Sequence, residues 1–208
     1  MSGQDPVPWG MILAGSKKNG NAISVRDYAD MIRAKDRAGI AGLIHLRFSE
    51  RYLEPAMDNP KRNGFAILAI CCLMVEALES FRNGWKKTRG AGGRAVFLGF
   101  FEGHDEFKDL RPVALEFYTH IRCGILHQAE TTGGWMVHRR PPLFSESSGV
   151  RRLSASEFGK GVKAALDRYT NDLAHANWKD PVWKKARKKL RDICRNCGLS
   201  DAEVARLE

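Results

Sequence analysis

The sequence predicts an all-α protein, a helical bundle with one small β-hairpin inserted after the helix that begins at Pro112. Three observations carry this reading. Apolar residues recur at three- and four-residue steps in most segments, which is the helical period. Capping and stop residues fall between those segments. Past Gln128 the helical period gives way to a pattern of strand and turn residues.

The 208 residues suffice for one domain with a real core and terminal additions. No internal repeat or long linker divides the chain. We therefore read an N-terminal arm (1–24), a helical domain (25–178) and a basic C-terminal helix with its tail (179–208). Lys and Arg outnumber Asp and Glu by 34 to 24, a formal net charge of +10, so an anionic partner is expected, with nucleic acid ahead of a membrane surface. The five cysteines, two of them adjacent in an apolar run, do not make a disulfide framework. The first twenty residues lack the apolar core of a signal peptide. The apolar run from Phe65 to Val75 is too short to span a bilayer. These features point to a reducing cytoplasm and no membrane partner.

Taken in order, residues 1–24 read as a mostly irregular arm, rich in Gly, Pro, Ser and Lys, that docks through Trp9. Ser24 caps a short helix to about Lys35. Residues 37–57 continue as helix, with Ile40, Leu43, Ile44, Phe48 and Tyr52 on one stripe and Pro55 near its end. Asn59-Pro60 signals a turn. Gly64 to about Arg82 is apolar nearly all round and predicts a central helix, stopped at Asn83-Gly84. Residues 86–95 form a basic, glycine-rich loop. It lacks the Gly-Lys-Ser/Thr ending and the preceding strand of a phosphate loop. Val96 to Phe101 makes a short apolar helix or turn, and 103–109 a connector.

Pro112 suits the first turn of the next helix, which carries Val113, Phe117, Ile121 and Gly124 inward and ends near Gln128. Residues 131–139 turn into a strand. Pro141-Pro142 and Ser145 to Gly149 break it, and Val150 to Leu153 returns as its partner. Ser154 or Ser156 caps a helix with Phe158, Val162, Leu166, Tyr169 and Leu173 on one face. Pro181 starts the last strong helix, whose inner face is Trp183, Ala186, Leu190, Ile193 and Cys197. From Lys179 to Arg195 it sets eight Lys or Arg against two Asp. Residues 199–208 read as a short polar tail.

The stretch Arg122-Cys123-Gly124-Ile125-Leu126-His127 holds the candidate catalytic pair, Arg122 and His127. On a straight α-helix they would point about 140° apart. A cleft between two copies of the helix is one way to bring them together. RNA cleavage by its own 2′-hydroxyl needs a base, an acid for the leaving 5′-oxygen, and positive charge at the phosphorus. Histidine can serve as base or acid near neutral pH, and arginine presents a fork of donors to phosphate oxygens.

Glu76 lies on the apolar 64–82 helix, where a buried carboxylate requires a partner; Arg122 is the candidate, solvent exposure the alternative. Glu116, His120, Cys123 and His127 make a polar stripe spread over three turns. That is too long to close on one metal, so no metal site is expected. His120 and Cys123 are read as supporting residues. Cys194 and Cys197 have no second ligand pair at zinc spacing and read as core thiols. Lys184, Lys185, Arg187, Lys188, Lys189 and Arg191 form a charged helix face, solvated or bound to nucleic acid.

The order E-F-Y-T-H-I-R-C-G-I-L-H-Q (116–128), with V-E-A-L-E-S-F-R-N-G-W (75–85) before it, resembles the HEPN superfamily and its Arg-x4–6-His motif. The resemblance covers roughly residues 40–175. It implies a HEPN-like helical bundle and a homodimer whose two motifs build one composite site. It also implies metal-independent endoribonuclease activity with no cofactor, in bacterial toxin or defence systems where a cognate antitoxin or other partner protein is expected. The position after the motif arginine, often polar in that superfamily's nucleases, is Cys123 here. This feature favours the rival expectation, a non-catalytic module that binds RNA or a protein.

Overall fold

The computed structural model describes residues 8–59, 61, 63–87 and 92–207. The start of the arm, Pro60 of the turn signal and positions 88–91 of the basic loop lie outside the described residues. The chain is mostly helical but not purely all-α, because two small sheets accompany the helices.

The order is β1 (Ile12–Ala14), β2 (Ile23–Ser24), α1 (Val25–Ala34), α2 (Arg37–Phe48), a π turn (Ser49–Leu53), α3 (Glu54–Met57), α4 (Gly64–Asn83) and α5 (Gly92–Glu102). A 3-10 stretch (Asp105–Val113), α6 (Ala114–Glu116), a second π stretch (Phe117–Cys123) and α7 (Gly124–Gln128) then follow without a break. Next come β3 (Trp135–His138), β4 (Phe144–Ser147), β5 (Val150–Ser154), α8 (Ala155–His175), α9 (Pro181–Asn196) and α10 (Asp201–Ala205).

Two prolines explain departures from the expected helices. Pro55 has no N–H to give the carbonyl four residues back, so the helix expected over 37–57 breaks into α2, a widened turn and α3. Pro112 does not open the motif helix. It lies inside the 3-10 stretch, and the α geometry begins only at Ala114.

One compact unit comprises the described parts of Met1–Arg51, Ser80–Lys86 and Asp167–Glu208. Its arm is more ordered than expected, since β1 and β2 pair antiparallel. Arg47 and Arg51 donate to the carbonyls of Leu13 and Ile12, fastening β1 to the α2 segment. The Trp9 indole donates to Glu203 at 3.1 Å, so the arm docks through Trp9. Ser24 and Asp27 form a reciprocal capping box at the start of α1. Helix α9 buries Trp183, Ala186, Leu190 and Ile193, the stripe its spacing predicts. The expected polar tail instead contains α10, with its own Ser200–Glu203 capping box and with Leu199, Val204 and Leu207 buried.

The other unit comprises the described parts of Tyr52–Glu79 and Lys87–Leu166. Its core is aromatic. The rings of Phe117 and Phe158 stack at 5.0 Å, those of Phe101 and Phe107 at 5.3 Å, and Phe97, Phe100 and Trp135 close round them. Phe117 and Ile121 are fully buried, which fixes the inner face of the motif helix. Helix α4 is not buried all round: Phe65 and Leu73 are exposed while Ile67, Leu68, Cys71, Cys72 and Val75 are buried. Among the described residues it is the one helix long and apolar enough to cross a membrane by length and composition, a test that the core helix of a soluble protein also passes.

The segment after the motif helix carries three strands in the order β3-β5-β4, where a two-stranded hairpin was expected. β3 and β5 do pair, but in parallel, with Trp135 opposite Arg151. The tight hairpin joins β4 to β5 through Ser148 and Gly149, both at positive φ, the two-residue turn geometry that matches strand twist. The stretch that the turn residues mark as a breaker is therefore itself a strand and its turn.

Gly124 is a structural requirement of this unit. A Cβ there would sit 2.5 Å from the Glu130 carbonyl oxygen, where the chain folds back over the helix end. Gly124→Ala should lower stability by about 1–3 kcal/mol, roughly 2–4 °C of melting temperature per kcal/mol at this chain length. Gly42→Ala, on the exposed side of α2 with nothing within 4 Å, should instead raise the melting temperature. Paired thermal melts check both signs.

Candidate active site

The motif helix is positioned by its buried Phe117–Ile121 face. Arg122 is the next-to-last residue of the π stretch and His127 lies in α7. Arg122 Nη1 lies 3.2 Å from His127 Nε2. The pair thus meets within one chain, although a straight α-helix would have held the two apart. Arginine is a donor only, so in this contact Nε2 of His127 is the acceptor. His127 is exposed to solvent.

The other edge of the guanidinium faces α4. Arg122 Nε and Nη2 each lie 2.9 Å from Glu76 Oε1. Both side chains are only 19% exposed, so the pair sits in a partly desolvated setting where its attraction is stronger than at the surface. Burial by itself lowers the Arg122 pKa. The hydrogen bonds and charge of Glu76 outweigh it, so the net shift is upward and the cation is held.

Tyr118 and Cys123 complete the surroundings. The Arg122 guanidinium lies over the Tyr118 ring, 5.6 Å from its centroid. Burial, then hydrogen bonding with Cys123, raises the Tyr118 pKa, so the phenol stays neutral. Cys72 lies one helical turn before Glu76, fully buried, and its thiol is held well above the ordinary range by that burial. Tyr118 was legible in the sequence at i, i+4 from Arg122, the spacing of helical neighbours. Cys72 bears the same relation to Glu76.

His120 takes a different place. Its Nδ1 lies 2.8 Å from Thr132 Oγ1, and its carbonyl accepts from Thr132 N–H at 3.1 Å. Gly133, at φ 62°, packs so closely on the imidazole that a Cβ would come within 2.6 Å of it. His120 thus anchors the loop leading to β3. Among the described residues no group of three or more His, Cys, Asp or Glu is placed to hold a metal ion.

The basic face of α9 is divided. Lys184, Lys185 and Lys188 are exposed. Arg187 packs over the Trp178 ring at 4.3 Å, Lys189 donates to the Lys86 carbonyl at 3.1 Å, and Arg191 is half-buried. Burial lowers the Lys189 pKa. Lys184, Lys185 and Lys188 are therefore the exposed members of the six, and Arg187, Lys189 and Arg191 the half-buried ones. Cys194 is buried in the core, as its spacing suggests, and Cys197 is half-buried at the end of α9.

No family model, no curated protein and no solved structure matches the chain.

The thiols provide a direct test of this geometry. Burial pushes Cys71 and Cys194 up to about 12, and Cys72 is also raised. All three remain thiols across the neutral range, and alkylation requires the thiolate. Iodoacetamide at pH 8 should modify Cys123 and Cys197 in the native protein and spare the other three until the chain is unfolded. Peptide mass mapping before and after denaturation reads the difference.

Proposed function

We propose that the chain is a HEPN-like, metal-independent endoribonuclease that cuts RNA through attack of the substrate's own 2′-hydroxyl. The observation that carries this reading is the Arg122 guanidinium, fixed by Glu76 on one edge and hydrogen-bonded to His127 on the other. Arginine alone on a helix surface is common. An arginine oriented by a partly buried carboxylate, with a donor aimed at an exposed imidazole, has the parts that phosphoryl chemistry needs.

In this mechanism an incoming phosphate takes the Nη1 donor and releases His127 Nε2. The freed lone pair accepts the proton of the 2′-hydroxyl. The 2′-oxygen bonds to phosphorus, and the bond from phosphorus to the 5′-oxygen breaks, leaving a 2′,3′-cyclic phosphate and a 5′-hydroxyl. Arg122 carries the added negative charge on the phosphoryl oxygens. The leaving 5′-oxygen needs one proton. In the homodimer that the resemblance implies, His127 of the partner subunit, in its imidazolium form, supplies it and is left neutral. Leu115 and Leu126, exposed at 48% and 43% on the segments that carry the motif, suit such a contact. A toxin or defence setting with a cognate antitoxin belongs to the same proposal.

The second reading is a non-catalytic module that binds RNA or a protein through this surface. Cys123, in the position after the arginine, favours it. Variants separate the two readings. Loss of His127 should slow cleavage about 10²–10⁴-fold and loss of Arg122 about 10²–10³-fold. The double variant should lose much less than the product, because the two act in one step. Arg122→Lys should also fail, since lysine keeps the charge without the fork. Parental rates in both single alanine variants would overturn the catalytic reading.

A further inference from the structure

A groove of about 800 Å³ opens on the sheet side of the second unit, lined by Gly64, Phe65, residues 136–142, Ser145 and Arg152. Its volume falls in the range of roughly 300–1,000 Å³ typical of ligand sites. The sheet explains its floor. Met136 and Ser145 flank Arg152 across three neighbouring strands, so their side chains stand in one row on one face. Met136 is 55% exposed and Phe65, at the start of α4, 40% exposed, so both present apolar surface in the groove.

The charges are one-sided. Arg140 and Arg152 are exposed, their guanidinium groups have no hydrogen-bond or ion-pair partner among the described residues, and no carboxylate among those residues lines the groove. Arg139 differs: it donates to Ser156 Oγ, to the carbonyls of Asn59 and Lys61 and to Asn63 Oδ1, which makes it a structural staple. The groove thus offers an aromatic ring, a thioether and two uncommitted guanidinium groups.

We propose that this groove binds a single-stranded RNA segment, with a base on Phe65 and phosphates on Arg140 and Arg152, and so holds the flank of the substrate cut at Arg122 and His127. The last step rests on the ribonuclease reading; the binding site does not. An aromatic ring and unpaired cations in one groove suit the bases and phosphates of a single strand. An acidic peptide would use the arginines and leave Phe65 and Met136 without a role. The groove strand β3 is joined to the motif helix by the loop anchored on His120, where Thr132 and Gly133 pack. A strand seated in the groove is therefore tied to the catalytic helix by a fixed connection.

The test uses the full chain and a fluorescein-labelled 2′-O-methyl oligouridylate of eight nucleotides, which has no 2′-hydroxyl to attack. Binding is followed by anisotropy across a salt series. The parent should bind, and Phe65→Ala should weaken binding about tenfold through the lost stack. Arg140→Ala/Arg152→Ala should weaken it and reduce the log–log salt slope by about 1.4, for two phosphates on a single strand. Circular dichroism melts confirm that the variants stay folded. A parent that does not bind, or variants that bind as the parent does, would overturn the proposal. So would displacement by polyglutamate from the parent and Phe65→Ala alike, which would mark an acidic-protein surface. A parent that binds through the groove yet leaves unmodified RNA intact retains this site and refutes the ribonuclease reading. Cleavage with no loss of binding in the groove variants does the reverse.

Discussion

The guanidinium of Arg122 is the constraint on which the candidate site depends. Taken into a setting only 19% exposed, it needs a counter-charge, and Glu76 of α4 supplies one oxygen to two of its nitrogens. Removing either partner would leave the other charged, partly desolvated and alone, which is the expensive way to break such a pair. The same contact ties the motif helix to α4 and aims the remaining nitrogen at His127. Stability and the proposed chemistry therefore draw on one interaction, and a neutral hydrophobic pair of equal stability would present no cation.

That interaction needs a rigid backing. The aromatic cluster of Phe97, Phe101, Phe107, Phe117 and Phe158 provides it, with edge-to-face and stacked rings that bury the inner side of the motif helix. Against that fixed side, Arg122 near the end of the π stretch and His127 in α7 meet across five residues. A π segment is an uncommon element that often accompanies function.

The amphipathic faces of α8 and α9, the Ser24 cap and the docking of Trp9 were readable from periodicity and side-chain chemistry alone. So were Arg122 and His127 as a pair, and Glu76 as a carboxylate in need of a partner. The parallel pairing of β3 with β5 was not readable, because strand direction is set by the path of the intervening chain and leaves no trace in the alternation of residues. The π stretch escaped for a related reason. A period of five over seven residues cannot be told from an α-helix when the buried positions, Phe117 and Ile121, are still four apart. On the basic face of α9, a count of cations does not show that Arg187 also packs on Trp178 and Lys189 donates to a carbonyl.

The central claim is that Arg122 and His127 act together on an RNA phosphate through the substrate's own 2′-hydroxyl. Its most direct test is the chemistry of the ends produced when the purified chain is incubated with RNA in EDTA and the fragments are weighed by mass spectrometry. The account predicts fragments ending in a 2′,3′-cyclic phosphate, each matched by a 5′-hydroxyl. Fragments bearing a 5′-phosphate and a 3′-hydroxyl, or intact RNA after prolonged incubation, would contradict it.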